Sequence, residues 1–479
     1  MRRLRWIDFI SFNLFWLGLN IRNNAVQSIF LPYQVDAFAE ESIRNSALGI
    51  ARAAGLIIAM LAQPVFGILS DRNTSRFGRR RPYIFVGVLL DLFFLALLAT
   101  SESYWMLLLC VMLIQVSSNV SHGPLQALIP DMVPEDQRGL ASAVKSIFEL
   151  LPLVILGMTV AALVGAGKFN LAVLATGAAL LIIMLFTVFM VRETPIKEKP
   201  DVPLSPALLR VLGMLAGIAA GAVAGIIAGG AIGLIFGLIA WPVVGKENAL
   251  AVFIAVGGVV AMIVAVVVGV WAGTLASLGQ EARRKPAFTW WVVNRLMFLA
   301  AITSIQSFAP YFITYSFHIE IETAISIYGK LITVVGVFTL LSALPSGWLS
   351  DRIGQKRLVG IAGFIAALAT VLLLSTVWFP NLALIYLVGI GLGIAAGLFV
   401  VTNWALGTRL VPDEQAGRYL GISNLAGAGA GIIGAGLGGL IADYLNGVSP
   451  GMGYFVIFSG FGLMFLLSIL SIRGIIKAE

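Results

Sequence analysis

The sequence predicts an all-α integral membrane protein built from two related six-helix bundles, with two further helices inserted between them. Hydrophobic residues make up 59% of the 479-residue chain and charged residues only 11%, a composition typical of chains whose main solvent is lipid. A polar motif also occurs twice, once in each half of the chain, which indicates two related copies of one helical unit.

The repeated motif is longest in its first copy, Gly67 to Pro82, which lies between two apolar runs and is rich in arginine. A shortened copy follows at Gly347 to Arg352. A second pair of loop segments, 133–139 and 411–417, recurs at almost the same separation along the chain. Two unrelated loops that repeat at one offset are an improbable coincidence, so an internal repeat is the better interpretation.

Apolar runs of about 20 residues, long enough to cross a hydrocarbon core of about 30 Å, fill both halves. They begin near Ile7, Ser46, Tyr83, Tyr104, Leu140 and Leu171, and again near Ala287, Ser326, Val359, Leu382, Arg418 and Tyr454. Two more runs lie at about 209–241 and 250–275. We therefore predict about fourteen transmembrane spans. The predicted division is an N-terminal bundle at 1–192, a linker with an inserted hairpin at 193–286, and a C-terminal bundle at 287–479.

Many of the 31 lysines and arginines behind the net charge of +8 fall on one side of the membrane if the predicted spans alternate. They are Arg2, Arg3, Arg5, the cluster from Arg72 to Arg81, Arg192, Lys197, Lys199, Arg283, Arg284, Lys285, Arg352, Lys356, Arg357, Arg473 and Lys477. By the positive-inside rule this side is the cytoplasm, so both termini are predicted there and nucleic acid is not expected as a partner. We expect a multi-pass protein of a bacterial inner membrane, with the lipid bilayer as its surroundings.

The residues give little support to metal or catalytic chemistry. Cys110 is the single cysteine, and His122 and His318 are the two histidines, so a Cys/His metal site is not expected. No nucleophile and base stand in a catalytic pattern. We predict a protein that is not an enzyme and has no cofactor and no metal. His122 is open to two interpretations, a satisfied interfacial histidine or a proton relay.

The inserted runs carry small residues at helical spacing. The first has glycine at 213, 217, 221, 225, 229, 233 and 237, and the second has Gly257, Ala261, Ala265, Gly269 and Gly273. Two such faces can approach closely and gain packing that lipid does not supply. A structural hairpin between the bundles is the prediction, and a dimer contact or a lipid-facing regulatory element is the alternative.

Five polar residues lie about halfway across predicted spans, where an ionisable group is costly unless it faces a cavity or a partner. They are Arg22, Asp91, Gln115, Glu149 and Arg295. Function is expected at these depths, and the alternative is that the charges form internal ion pairs that only hold helices together. Near a span end, Trp290 and Trp291 are expected to be interfacial anchors.

The segment from Gly67 to Pro82 resembles the cytoplasmic loop motif of the major facilitator superfamily. Its run from Ser70 to Pro82, together with Asn119, Gly123, Pro124 and Asp131 of span four, is similar to the sucrose:proton and glycoside-pentoside-hexuronide:cation symporters of that superfamily. The resemblance implies the major facilitator fold. It also implies a cytoplasmic gate, for which the candidates are Asp71, Arg72, Arg79, Arg80, Asp351 and Arg352. The alternative is that the arginines only fix topology.

The resemblance further implies that spans one, four, seven and ten line a central cavity and that span three lies outside, which ranks Asp91 below Glu149. The sequence departs from its relatives at the coupling positions: Gln115 and Gln126 stand where the sucrose symporters have an aspartate and an arginine. Ala59 and Gln63 stand where sodium-coupled permeases have paired aspartates. Glu149 is therefore the first candidate for proton coupling and Asp91 the second.

The predicted solute-binding residues lie on the spans that the resemblance assigns to the cavity. They are Arg22, Asn23, Gln115, Asn119, Arg295, Asn403 and Trp404. Trp404 is either a platform for a sugar ring or a packing residue. Because cations outnumber carboxylates among the deep residues, acidic glycosides and organic anions are candidate solutes beside neutral sugars.

The predicted function is a secondary active transporter of a sugar, glycoside or related small solute, working by alternating access and coupled to protons as a symporter. One alternative is an organic-anion or other solute exchanger or uniporter of the same superfamily. Another is a non-transporting membrane receptor.

Overall fold

The computed structural model describes residues 4–134, 137–191, 193, 205–284, 286–411 and 416–478. These residues form helices joined by short turns, with no β-strand among them. The predicted linker at 194–204, the basic residues Arg2, Arg3, Arg192, Lys197, Lys199 and Lys285, and the loop positions 135–136 and 412–415 lie outside the described residues.

Sixteen α-helices are found in the described part of the chain. The first eight are α1 (Trp6–Ala25), α2 (Leu31–Phe38), α3 (Arg44–Asp71), α4 (Arg81–Ala99), α5 (Tyr104–Met132), α6 (Arg138–Met158), α7 (Val160–Gly165) and α8 (Phe169–Met190). The others are α9 (Ser205–Leu278), α10 (Gln280–Arg284), α11 (Pro286–Phe317), α12 (Ile321–Ile353), α13 (Gln355–Ser375), α14 (Leu382–Leu410), α15 (Ala416–Val448) and α16 (Met452–Ala478).

Twelve helical segments in the described residues are long and apolar enough to cross a membrane. One of them, Leu208–Leu278, bends back on itself at Gly245, where φ is 80°, and so holds two runs of spanning length. The first helix of the chain is a further long one, because a π-helical turn at Val26–Phe30 joins α1 to α2 without a break. The all-helical membrane fold is confirmed, and the predicted count of about fourteen is approximate.

The chain divides into two compact units. Unit 1 comprises Met1–Phe38, Ile58–Leu208 and Ile325–Gly336. Unit 2 comprises Ala39–Ile57, Leu209–Ala324 and Val337–Glu479. The helices α3, α9 and α12 therefore have residues in both units. The division predicted from sequence, at 192 and 286, stays a prediction.

In unit 1 the helix α1 packs against α6 and α8, and α4 packs against α5 and α8. Their shared core is apolar and strongly aromatic at the α1 end, with Phe9, Phe12, Phe15 and Trp16 all buried. Burial of such large rings stabilises the position of α1 and so fixes the direction in which its polar residues face. In particular it holds the deep Arg22 against α4 and α5.

In unit 2 the helix α11 packs against α15 and α16, and α13 packs against α14 and α16. The centre of this packing is a parallel stack of Phe298 and Phe399, with ring centroids 3.7 Å apart, and Phe465 meets Phe298 edge-on. Since α11 is buried over most of its length, the polar residues on it, such as Asn294, must find partners inside the protein.

The inserted helix α9 forms the predicted close-packed hairpin. Its two arms pair antiparallel, so that a Cβ added at Gly257 would lie 2.7 Å from the carbonyl oxygen of Gly229. At Gly221 an added Cβ would collide with the backbone of the facing arm. Glycine is therefore required by the separation of the arms, and the prediction of two smooth facing surfaces is confirmed. An edge-on contact of Trp271 with Trp290 also joins the hairpin to α11.

Candidate functional site

The deepest charges of unit 1 form an ion pair. The guanidinium Nη2 of Arg22 on α1 lies 2.8 Å from the carboxylate of Asp91 on α4, and both side chains are 0% exposed. Ser117 donates a hydrogen bond of 2.6 Å to the same carboxylate, and Arg22 donates to the hydroxyl oxygen of Ser118. Each isolated charge at membrane depth costs about 3 kcal/mol on insertion scales, so each residue of the pair lowers the cost of burying the other.

Arg22 is not fully satisfied by this pair. Its Nε and Nη1 atoms are buried and have no hydrogen-bond partner among the described residues. The π-helical turn at Val26–Phe30 begins one turn beyond it, and such turns are often found at functional sites. Two nitrogen atoms of the Arg22 guanidinium thus carry unused hydrogen-bond donors inside unit 1.

Three other predicted binding residues of unit 1 have different environments. Gln115 and Asn119 are buried on α5, and the Asn119 amide donates to the carbonyl oxygen of Gln115. Asn23 is exposed. The structure thus brings Gln115 and Asn119 onto the helix that carries Ser117 and Ser118, whereas Asn23 lies apart from the buried pair.

Glu149, the first candidate for proton coupling, lies on α6 in a more open setting. Its carboxylate is 3.3 Å from Nζ of Lys145 one turn away, and the two side chains are 35% and 29% exposed. The same ammonium lies 4.1 Å from the ring centroid of Trp16. His122 packs edge-on against Trp16, with ring centroids 5.3 Å apart, and its Nε2 is 3.3 Å from the amide nitrogen of Gln126.

In unit 2 the predicted residues Arg295, Asn403 and Trp404 come together. Nη1 of Arg295 on α11 donates to Oδ1 of Asn403 on α14 at 3.3 Å, and the guanidinium carbon lies 5.1 Å from the ring centroid of Trp404. Asn403 in turn donates to Oδ1 of Asn294 at 2.7 Å. The prediction that Trp291 anchors at the interface is wrong, because its indole is fully buried and donates to the Asn403 carbonyl oxygen at 2.9 Å.

The first copy of the repeated motif forms a dense network around Arg80. All five guanidinium donors are used: Nη2 lies 2.5 Å from Asp71, Nη2 and Nε each lie 3.0 Å from Asp131, and Nη1 donates to Ser70 and to the Gly67 carbonyl oxygen. Arg80 is buried, whereas Asp71 and Asp131 are partly exposed. This set of residues is called the Arg80 network below.

Glu193 caps the start of α4 beside the Arg80 network. Its carboxylate accepts hydrogen bonds from three successive backbone N–H groups, those of Arg79 at 2.6 Å, Arg80 at 2.8 Å and Arg81 at 3.0 Å. These groups are unpaired at the beginning of any helix, and a carboxylate there also interacts favourably with the helix dipole. Gly78, with φ of 105°, makes the turn that directs these three backbone N–H groups toward Glu193. Arg79 itself lies 2.5 Å from Asp131.

The second copy of the motif forms no such network. Asp351 and Arg352 are both exposed, and Asp351 has no ion pair within the described residues. The guanidinium of Arg352 rests 4.1 Å from the ring centroid of Trp348 on its own helix. Of the six predicted gate residues, the structure therefore brings together Asp71, Arg79 and Arg80.

Several residues that hold these clusters are not among the predicted binding, coupling and gate residues, although Asp131 belongs to the motif that carries the family resemblance. Asp131, Glu193, Ser117 and Ser118 belong to unit 1, and Asn294 and Asp443 to unit 2. Asp443 accepts hydrogen bonds from the backbone N–H groups of Asn45 at 3.2 Å and Ser46 at 2.6 Å, at the start of α3. One signal was available: Asp131 and Glu193 are acids at span ends on the side that carries the arginine-rich motif. Within the described residues no cluster of His, Cys, Asp and Glu is arranged to hold a metal.

Comparison with known families gives a match over nearly the whole chain. A family model described as the Major Facilitator Superfamily matches residues 10–289 and 291–475. Among solved structures, a D-xylose-proton symporter superimposes with a TM-score of 0.63, covering 98% of this chain and 97% of that one. With 16% sequence identity, this likeness concerns the fold alone.

Curated relatives align over shorter stretches. The general alpha-glucoside permease of Schizosaccharomyces pombe is 29% identical over 150 residues, which are 27% of this chain and 27% of the permease. The proton-associated sugar transporter A of Homo sapiens is 40% identical over 101 residues, 18% of this chain and 14% of that protein. The chain thus aligns with less than a third of the length of either relative.

Proposed function

This chain belongs to the Major Facilitator Superfamily, and we propose that it is a secondary transporter that moves a sugar, glycoside or related small solute by alternating access, coupled to protons. It is an integral, multi-pass membrane protein. The names of its curated relatives, an alpha-glucoside permease and a proton-associated sugar transporter, support the solute class and the coupling ion. In this proposal the chain is a carrier and not an enzyme.

The observation that carries the proposal is the buried pair of Arg22 and Asp91. When Asp91 takes up a proton, its carboxyl group loses the negative charge that holds the Arg22 guanidinium. The Nη2 group of Arg22 is then released, in addition to the Nε and Nη1 groups that already have no hydrogen-bond partner among the described residues. Those donors then bind solute hydroxyls, which gives a physical link between proton binding and solute binding. Complete burial of the pair favours Asp91 over the partly exposed Glu149, so in this proposal Asp91 becomes the first candidate for proton coupling and Glu149, which ranks first from the sequence, becomes the second.

The remaining residues keep their proposed roles. Solute recognition is assigned to Arg22, Asn23, Gln115, Asn119, Arg295, Asn403 and Trp404. Gating on the cytoplasmic side is assigned to Asp71, Arg72, Arg79, Arg80, Asp351 and Arg352. Both termini are placed in the cytoplasm, and a bacterial inner membrane is the proposed location.

The proposal is tested by solute-induced proton movement in proteoliposomes, with a panel of neutral glycosides. Wild type is compared with Asp91→Asn and Glu149→Gln, two variants that keep side-chain shape and remove a titratable carboxyl. We expect Asp91→Asn to abolish proton influx while solute exchange persists, and Glu149→Gln to reduce influx less. The reverse order would move the coupling site to Glu149.

A second candidate is an exchanger or uniporter for organic anions, favoured by the cation Arg295 that no described carboxylate neutralises. Trans-stimulated exchange without proton movement in wild type would support it and contradict symport. Failure to exchange or accumulate any solute would instead favour a receptor that does not transport.

A further inference from the structure

Arg295 differs from Arg22 and Lys145 in having no acidic partner within the described residues. Arg22 is paired with Asp91 at 2.8 Å and Lys145 with Glu149 at 3.3 Å. Within the described residues, the one polar partner of Arg295 is the neutral Asn403. A guanidinium keeps its charge under all ordinary conditions, so unit 2 carries an uncompensated positive charge at about mid-span.

The surroundings of Arg295 hold it in one orientation. Asn403 can present its oxygen to the guanidinium because its amide nitrogen is committed to Asn294, 2.7 Å away. Asn294 is fixed in turn, since its own amide nitrogen donates to the Ser468 carbonyl oxygen at 2.7 Å. The guanidinium carbon also lies within cation–π distance of two indoles, 5.1 Å from Trp404 and 5.9 Å from Trp291. Helices α11, α14 and α16 therefore cooperate in aiming one side chain.

One edge of this guanidinium is still unused. Nε is buried and has no hydrogen-bond partner in the described part of the chain. Aromatic contacts and a single neutral amide do not offset the loss of hydration of a full charge. Two parallel N–H groups on an arginine edge match the two oxygens of a carboxylate, and this pairing is stronger than bonds between neutral groups.

We propose that Arg295 binds a carboxylate carried by the transported solute, so that the protein prefers an acidic sugar derivative to the neutral sugar of the same size. This inference rests on the proposed transport function and specifies its substrate class. The carboxylate supplies the counter-charge that the protein lacks at Arg295, and Trp404 borders the same position.

The experiment compares methyl α-D-glucoside with methyl α-D-glucuronide, which differ in oxidation at one carbon. The uptake constant and the inhibition constant of each solute are measured in proteoliposomes containing the full chain. The readout is the preference ratio, which is the constant for the glucoside divided by the same constant for the glucuronide. We expect wild type to favour the glucuronide by on the order of 10- to 100-fold, the range for a charge-assisted hydrogen-bonded pair. Arg295→Gln should bring the ratio close to one.

Two further variants separate recognition from a structural role. Arg295→Lys keeps the charge but loses the planar pair of donors, so an intermediate ratio is expected. Asn403→Asp places a carboxylate beside Arg295 and should also abolish the preference, although the guanidinium is still present. Arg357→Gln removes an exposed arginine of unit 2 and should leave the ratio unchanged.

The possible results distinguish a failure of the carboxylate proposal from a failure of the proposed transport function. Transport of the glucoside with no preference for the glucuronide would overturn the carboxylate proposal and leave the transport function intact. Equal loss of both solutes in Arg295→Gln, with an unchanged ratio, would also overturn it. Transport of neither solute by wild type would contradict both this inference and the sugar-transport proposal.

Discussion

The two copies of the repeated motif have the same sequence core and different structures. In the first copy Arg80 pairs with both Asp71 and Asp131. All five of its N–H donors are used within the Arg80 network. In the second copy Asp351 and Arg352 are exposed, and Arg352 contacts an aromatic ring of its own helix. A shared Ser-Asp-Arg sequence is therefore not sufficient to form a network.

The difference comes from residues outside the motif. Asp131 stands two residues before Val133, and the matching position two residues before Val411 is Arg409, which is exposed. The first copy also has the carboxylate of Glu193 over the start of its following helix. The first half thus surrounds its arginines with acids, whereas at the matching position the second half adds another cation.

Removal of Arg80 should have the largest effect. Arg80→Ala removes the guanidinium that Asp71 and Asp131 share and leaves Asp131 paired with Arg79 alone. Because both carboxylates are partly exposed, we expect a loss of about 2 to 3 kcal/mol in stability, below the full range for buried pairs. Transport should also fall by at least about tenfold if the network stabilises one state of the carrier. Thermal unfolding in detergent and uptake into proteoliposomes measure the two effects.

Arg352→Ala is the matched control for Arg80→Ala in the second copy, and it should change thermal stability little. Similar losses in the two variants would contradict the contrast between the copies.

Neutralisation of Glu193 should have the next largest effect. Glu193→Gln keeps an oxygen acceptor but loses the negative charge at the α4 N-terminus, so a loss of about 1 kcal/mol is expected. The change is measured as the shift in unfolding temperature against Glu102→Gln, which removes an exposed acid. An equal shift in both variants would mean that the cap contributes nothing specific.

An acid introduced into the second copy tests whether the missing partner explains its structure. Arg409→Asp creates the carboxylate that Asp131 supplies in the first half, and the gain from an exposed pair should be at most about 1 kcal/mol. Thermal stability should rise slightly in low salt and lose that gain in high salt. A decrease in stability at low salt would show that more than one acid is missing.

The smallest effect is expected at Asp351. Because Asp351 is exposed and has no described ion pair, Asp351→Asn should leave stability unchanged within error, while Asp71→Asn should lower it. Proteoliposome uptake by the same pair of variants tests the gating roles. Strong impairment of uptake by Asp351→Asn, with stability intact, would show that the second copy acts in a state other than the one described.

The sequence by itself determined the membrane class, the repeat of related halves and the close-packed hairpin. These features are local: hydropathy over about 20 residues reports a span, and glycine at every fourth position reports the surface of one helix. Gly221, for instance, is explained by the facing arm that its spacing predicted. The tryptophans at 290 and 291 show the limit of such reasoning, since adjacent residues near one span end have different environments.

Only the tertiary structure decided which charges meet. Asp91 ranked low because its span was expected to lie outside the cavity, yet α4 turns this residue toward Arg22 on α1 and Ser117 on α5. The sequence predicts Arg295 at about mid-span, but its lack of an acidic partner is visible only in the packing of α11, α14 and α16. Hydropathy gives the depth of a residue in the membrane, whereas the rotation of each helix about its axis is set by side-chain packing with helices distant in sequence. That rotation determines the partner of every buried charge.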